Sequence, residues 1–459
     1  MKPLLAESFR NDPRIAQARE LLAQALADHQ QPITDIRPPD PERKTSYDQL
    51  LQTFSDTRAG NLFYPYLASG LGHGPLVELA DGSIKFDLIS GIGVHHWGHS
   101  SPLLANAALD AALADTLMQG NLQQNPDSAE ISSALLALAA PSDLRHCFLS
   151  TSGAMANENA LKFVFHKRPG TDRILAFEHG FAGRTLALAQ LTDKPAYRVG
   201  LPTVLAVDYL PFFDPACPDA STTRALVTLR QHLQRYPNRH AATWFELILG
   251  EGGFYPGSHA FFQALMTELR AARIAIVADE VQTFGRTLSP FAFQHFDLAP
   301  LIDIVTVGKL LQVCATLFTP AYRPAPGLLS QTFTASTAAI CAARAILREL
   351  STGNFFTPAG RNAQVHARFT AHFSAIANRH PGKLRGPHGL GGMLAFQIGD
   401  GSEPAAKTFL RQLFDAGVIA FYCGDAPTRI RFLPPIGALT DAHIDRVCQI
   451  LESTLAQTP

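Results

Sequence analysis

The chain has 459 residues, of which 46% are hydrophobic, and its 38 Lys plus Arg nearly cancel 39 Asp plus Glu. The length predicts two or three domains rather than one core. The cancelled charge leaves no net field to gather nucleic acid or an anionic membrane, so neither is expected as a partner.

At the start, Glu7 and Asp12 arrive before any apolar stretch long enough for a signal sequence. No later run approaches the ~18 apolar residues of a membrane helix. Cys147, Cys217, Cys314, Cys341, Cys423 and Cys448 are scattered without a Cys-x-x-Cys pair, which fits neither a disulfide framework nor a zinc site. Each reads as a small buried apolar residue, and a reducing, cytoplasmic setting is expected.

Ile15, Ala18, Leu22, Ala25 and Leu26 fall at helical spacing, and a Pro-rich connection follows from Pro32 to Pro41. Leu76 to Leu79 and Ile84 to Leu88 flank Asp81-Gly82, which predicts a hairpin. From Pro102 the pattern alternates. Helices are expected over Pro102 to Met118, 127 to 140 and 155 to 167, with a strand at His146 to Ser150 and others near 173 to 178 and 203 to 208. A helix near 220 to 236 carries Arg224, Arg230 and Arg235 on what reads as a solvated face. Strands at Thr243 to Leu249, Ile274 to Asp279 and Asp303 to Val307 follow, with a helix at 258 to 272 among them. Such alternation implies an α/β layer with a mostly parallel sheet. Beyond Ser336 a helix leads into a mixed segment with strands at Gly391 to Ile398 and Thr428 to Leu433 and a last helix at Asp441 to Leu455. A large domain over 86 to 330 is therefore expected, with residues 1 to 85 and 331 to 459 forming a smaller α+β domain.

Three stretches carry chemistry. In Ile274-Ala-Ile-Val-Ala-Asp279-Glu280-Val281-Gln282 an apolar strand ends in adjacent acids, at the end where ligands of α/β sheets gather. A carboxylate there could keep a heteroaromatic nitrogen protonated, or it could cap the loop or bind a metal. Thirty residues on, Asp303-Ile-Val-Thr-Val-Gly-Lys309 delivers a lysine after a second apolar run. A desolvated lysine there could form an imine with a bound aldehyde, because the attacking amine must be neutral; alone it could equally be a solvated loop lysine. In Ser150-Thr-Ser152-Gly153-Ala154-Met-Ala-Asn157, small residues open a helix whose N-terminal amides could surround a phosphate, although alone this is an ordinary helix start. His95, His96 and His99 cluster, but adjacent His95 and His96 point apart in either helix or strand, and no metal site is expected.

Together these stretches resemble the class III aminotransferases among the fold type I pyridoxal phosphate enzymes. Phe86-Asp87 through Gly98-His99 resembles the family's entry motif, and Ser152 to Lys162 its phosphate-loop signature. Phe181-Ala182-Gly183-Arg184-Thr185 resembles its aromatic-His-Gly-Arg-Thr segment, Glu246 to Gly253 its Glu-Pro-x-x-Gly-Glu-Gly-Gly segment, and Asp279 to Arg286 its Asp-Glu-Val-Gln segment. Arg431-Phe432-Leu433-Pro434-Pro435 resembles its C-terminal Arg-Phe-x-Pro-Pro.

The resemblance implies that pyridoxal 5'-phosphate is the cofactor, held as a Schiff base by Lys309, with Asp279 on the ring nitrogen and Gln282 on the ring oxygen. It implies amides of Gly153 and Ala154 on the phosphate, Phe181 against the ring, and Thr332 reaching the phosphate of a neighbouring subunit, hence a homodimer. Arg431 would hold a substrate carboxylate and pair with Glu251 when none is present. Glu246 belongs to the same substrate-facing segment, and Arg184 aligns with a substrate-contacting arginine of the lysine 6-aminotransferase branch, which Lys309-Leu-Leu-Gln312-Val-Cys314 also resembles. Ala182, Leu247 and Thr334-Ala335-Ser336-Thr337 depart from the family pattern, which loosens the substrate assignment. The activity implied is transfer of an amino group from an amine or amino acid, such as lysine or 4-aminobutyrate, to a keto acid such as 2-oxoglutarate or pyruvate. An aminomutase or racemase of the same fold is the alternative, and a non-catalytic cofactor-binding protein is a further one.

Overall fold

A computed structural model describes residues 2–457; Met1, where the N-terminal reading begins, and residues 458–459 lie outside the described part. The first long helix, Pro13–Gln30, starts on Asp12, whose side chain accepts from Arg14 N, with proline in the first turn. Strands β1 (Ala68–His73), β2 (Leu76–Leu79) and β3 (Ile84–Asp87) form a meander, and the expected hairpin is its β2–β3 arm.

The main sheet takes β4 (His146–Ser150), β5 (Arg173–Phe177), β6 (Ala206–Leu210) and β7 (His240–Phe245). A small hairpin, β8 (Ile248–Leu249) with β9 (Tyr255–Pro256), interrupts the series. The sheet then continues with β10 (Ala275–Glu280), β11 (Ile304–Val307) and β12 (Cys314–Phe318), in the order β4-β12-β11-β10-β7-β5-β6. Neighbours from β11 through β6 pair parallel, while β12 runs antiparallel to both β11 and β4. Every residue of β7, β10, β11 and β12 is buried, as continuous apolar runs must be when helices cover both faces.

A second sheet pairs β13 (Leu384–Leu390), β14 (Met393–Ile398), β17 (Arg429–Phe432) and β16 (Phe421–Cys423) antiparallel. β15 (Val418–Ile419) instead joins β3 in parallel, so strands from the two ends of the chain share a sheet.

Several elements differ from expectation for local reasons. The helix from Pro102 ends at Ala112 rather than Met118, because backbone groups of Leu117 and Met118 bond residues 334, 335 and 337 instead. The strand expected over Thr243 to Leu249 breaks at Glu246, whose carboxylate accepts from Phe181 N and Gly250 N and so turns the chain into β8. Cys217 and Cys147 are partly exposed, whereas the other four cysteines are buried, and Cys217 Sγ donates to Asp214 Oδ2 at 3.2 Å.

Candidate active site

The site assembles where β10 and β11 end side by side. Asp279 is in register with Thr306 and Glu280 with Val307, so Lys309, two residues past β11, emerges beside Asp279 at the carboxyl edge of the sheet. Lys309 takes φ 47°, a left-handed conformation that a side chain adopts only when its surroundings impose it. It is partly accessible, as the lysine of a floor must be to meet a ligand. Desolvation, then the positive charge of Arg431, push its ammonium down to about 8, against the opposing pull of Glu246 and Asp279.

Asp279 is buried and desolvation raises its carboxyl above the ordinary range. Its Oδ2 accepts from Asn157 Nδ2 at 2.7 Å and from Trp244 Nε1 at 3.4 Å, and its Oδ1 accepts from Val281 N at 3.0 Å. Asn157 also donates to Ala182 O at 2.7 Å, so one amide ties the helix Gly153–Lys167, the strand-end acid and the Phe181 turn together. Asn157 and Trp244 were not singled out from sequence. The signal for Asn157 was present: it lies one turn after Gly153, on the same helix face.

The helix N-terminus is brought in by contact. Ser152 caps it by accepting from Met155 N, and a Cβ on Gly153 would lie 2.7 Å from Val281 Cγ1, so only glycine lets the helix approach the Asp279–Gln282 turn this closely. Gln282 is buried, its Oε1 has no partner, and its Nε2 lies where a Cβ on Gly250 would stand. Glu246 is buried beneath Phe181 and is pushed up to about 8 by desolvation and by Asp279.

Arg431, on β17, comes from the other sheet and is 2% exposed. Its Nη2 lies 2.9 Å from Glu251 Oε2, and Nη1 donates to Gly250 O at 3.4 Å. The exposed Arg184 guanidinium stacks 3.4 Å from the centroid of the Tyr197 ring, whose hydroxyl donates to Glu251 Oε1 at 3.4 Å. Thr332 is exposed on a segment whose backbone packs against Gly120, and among the described residues no hydrogen bond links it to the Lys309–Asp279 cluster. Of the clustered histidines, the His95 and His99 rings lie 5.0 Å apart and His99 Nε2 lies 3.0 Å from Asp87 Oδ2, whereas His96 packs on Trp97 and Phe355.

These residues fit pyridoxal phosphate. A buried carboxylate suits a protonated ring nitrogen, the buried Gln282 amide, whose Oε1 has no partner, suits a polar ring substituent, and a helix N-terminus suits a phosphate. A lysine whose ammonium is pushed down to about 8, and so yields its neutral form more readily than an ordinary lysine, suits an aldehyde.

A family model for class-III aminotransferases matches residues 63–455. The chain belongs to the class-III aminotransferases. It is 29% identical over 405 residues to acetylornithine aminotransferase of Gloeobacter violaceus, covering 84% of this chain and 93% of that one. It is 30% identical over 383 residues to acetylornithine aminotransferase of Lactococcus lactis, covering 82% and 93%. The structure of a lysine aminotransferase from M. tuberculosis superposes with a TM-score of 0.80 at 24% identity, over 89% of this chain and 99% of that one. This aminotransferase is thus a pyridoxal phosphate-dependent enzyme of fold type I that moves an amino group from a donor to a keto acid. The family match lends no support to the isomerase alternative or to a non-catalytic binder.

The depressed lysine has a consequence for loading. Because only the neutral amine attacks an aldehyde, the rate at which cofactor-free enzyme captures pyridoxal phosphate should rise about tenfold from pH 7 to 9, as Lys309 loses its proton near 8. Stopped-flow absorbance measures it. A rate still climbing about eightfold between pH 9 and 10 would mean that burial leaves Lys309 an ordinary lysine.

Proposed function

We propose that this aminotransferase takes its amino group from a terminal amine, in the manner of lysine, 4-aminobutyrate or an acylated ornithine, and passes it to 2-oxoglutarate or a similar keto acid. The observation that carries the reading is the pairing of buried Arg431 with Glu251 at 2.9 Å. An unpaired buried guanidinium would be destabilised by about 3–5 kcal/mol. Glu251 therefore neutralises Arg431 while a donor with no carboxylate at that place is bound, and must yield it to the carboxylate of a keto acid.

When bound, the cofactor supplies an electron sink for the carbon that loses its proton. Asp279 keeps the proton on the ring nitrogen, and Gln282 donates to the ring oxygen. Gly153 and Ala154 N–H groups orient the phosphate, and Phe181 covers the ring. Lys309 Nζ would take the proton from the amino-bearing carbon of the donor and deliver it to the carbon on the far side of the donor nitrogen. Glu246, pushed up to about 8 and so largely protonated at neutral pH, adds little negative charge beneath the ring while holding the Phe181 turn. Arg184, at the rim, faces the outer end of the substrate.

The same reading makes the enzyme a homodimer in which Thr332 completes the partner's phosphate site. Exposed Met118, Leu122 and Phe333, flanking that segment, and Ile92 support a covered face. Six unpaired cysteines support a cytoplasmic setting. We assign residues 86–330 to the cofactor-binding domain and the two chain ends to the smaller one, since β15 pairs with β3.

Half-reactions test the reading. Arg431→Ala should slow the keto-acid half-reaction by about 10²-fold, the loss of a charged hydrogen-bonded pair worth ~3 kcal/mol. Glu251→Ala should mainly impair the donor half-reaction. Single-turnover absorbance reads each half separately. Equal losses in both halves for both variants would reduce the pair to a structural bridge.

A further inference from the structure

For a carboxylate to take Arg431, Glu251 must have somewhere else to go. The backbone around it is held: Gly424 N donates to Glu251 O at 2.8 Å, and buried Arg429 donates to Gly253 O at 2.7 Å. Any movement of Glu251 is therefore a rotation of its side chain.

That rotation has room on one side. A cavity of about 50 Å³ adjoins Glu251, lined among others by Thr192, Asp193, Lys194, Gly424 and Asp425. Lys194 Nζ already lies 3.5 Å from Glu251 Oε1, and Tyr197 Oη donates to the same oxygen at 3.4 Å. Thus Oε2 faces Arg431 while Oε1 faces Lys194, and the two cations stand on opposite sides of one carboxylate. The Lys194 segment is also fixed. Asp193 N donates to Gly180 O at 2.9 Å, and the Asp193 carboxylate accepts from His179 N at 2.9 Å.

Resting on the proposed Glu251–Arg431 exchange, we infer that Lys194, with the Tyr197 hydroxyl, is the second station of Glu251: it receives the carboxylate when a substrate carboxylate claims Arg431. Lys194 is then a positioning residue that sets how readily Arg431 is released, and it needs no contact with the substrate. Asp193 and Asp425 line the same cavity. Without the lysine a third carboxylate turning in would face these two acids with only the neutral Tyr197 hydroxyl to receive it, so Glu251 would stay on Arg431 and compete with the incoming anion. The charge of this one surface-side lysine, whose side chain is 29% exposed, thereby biases the enzyme between its two classes of substrate.

Glutarate, a dicarboxylate that cannot react, is the probe. Its affinity for the holoenzyme is measured by calorimetric titration in the wild type, Lys194→Met, Lys194→Arg, Glu251→Gln, Arg431→Met and the double variant Glu251→Gln with Lys194→Met. Lys194→Met should weaken glutarate about tenfold, and Lys194→Arg should restore it to within about threefold. Glu251→Gln should tighten it, since the competitor has lost its charge, and adding Lys194→Met to that variant should change it less than twofold.

A tenfold loss from Lys194→Met in the Glu251→Gln background as well would overturn the inference, because the lysine would then be attracting glutarate directly. An unchanged affinity in Lys194→Met would overturn it too. Failure of the underlying reading looks different: glutarate would not bind the wild type, would bind Arg431→Met as tightly, or would be indifferent to Glu251→Gln.

Discussion

Lys309→Ala is expected to lower steady-state transamination by at least about 10³-fold while the protein folds and still binds pyridoxal phosphate. Positioned general acid–base groups are worth about 10² to 10⁴ in rate, and Lys309 is both the proton carrier and the group that must displace product. Its surroundings are arranged for that work. Desolvation and Arg431 favour the neutral amine, and the side chain stands at the floor of the site beside Asp279. Alanine keeps the left-handed backbone at the same conformational cost as lysine, so the fold should survive, which a thermal melt checks. Added small primary amines should restore part of the lost rate, as they supply a base where Nζ stood. Turnover within tenfold of wild type in a well-folded, cofactor-bound variant would move the catalytic role to another residue.

Asp279→Asn is expected to lower turnover by about 10²-fold or more, the loss of a charged hydrogen bond worth ~3 kcal/mol. Asparagine has the same shape, and its oxygen can still accept from Asn157 and Trp244. What it lacks is the negative charge that keeps a proton on the ring nitrogen, and the second oxygen that accepts from Val281 N. Burial raises the Asp279 carboxyl above its ordinary range, so a cationic partner is needed to hold it ionised. Rate constants, cofactor affinity and melting temperature measured together separate charge from folding. A near-normal rate in a folded variant would mean that Asp279 merely supports the loop.

Much of this was legible in the sequence because the strands that carry the site are continuous apolar runs. Ala275–Glu280 and Ile304–Val307 stand out by composition, and the residues at their ends follow from where such runs stop. β12 escaped notice because it follows Lys309 after only a short turn, and the run Cys314–Phe318 reads as a continuation of the loop. β13 escaped because Arg-Gly-Pro-His-Gly reads as a turn, yet it lies at the sheet edge, where proline and glycine are tolerated. The helices Arg361–Arg379 and Glu403–Asp415 were lost in a stretch of mixed polarity.

At the site, positions resembling a family motif were found, whereas the residues that hold them were not. Asn157 and Trp244 act on Asp279 from 122 and 35 residues away. Beyond the helix face that Asn157 shares with Gly153, no local pattern announces such pairings, because they exist only once β7 lies against β10 and the helix crosses the sheet. Lys194 is the same case, a lysine in a polar loop until folding sets it beside Glu251.

The central claim is that Lys309 carries the cofactor. Its most direct test is borohydride reduction of the purified yellow holoenzyme, followed by digestion and mass mapping. The account predicts a pyridoxyl group on Lys309, and loss of that label in Lys309→Ala. A label on Lys162 or Lys194, with Lys309 unmodified, would contradict it.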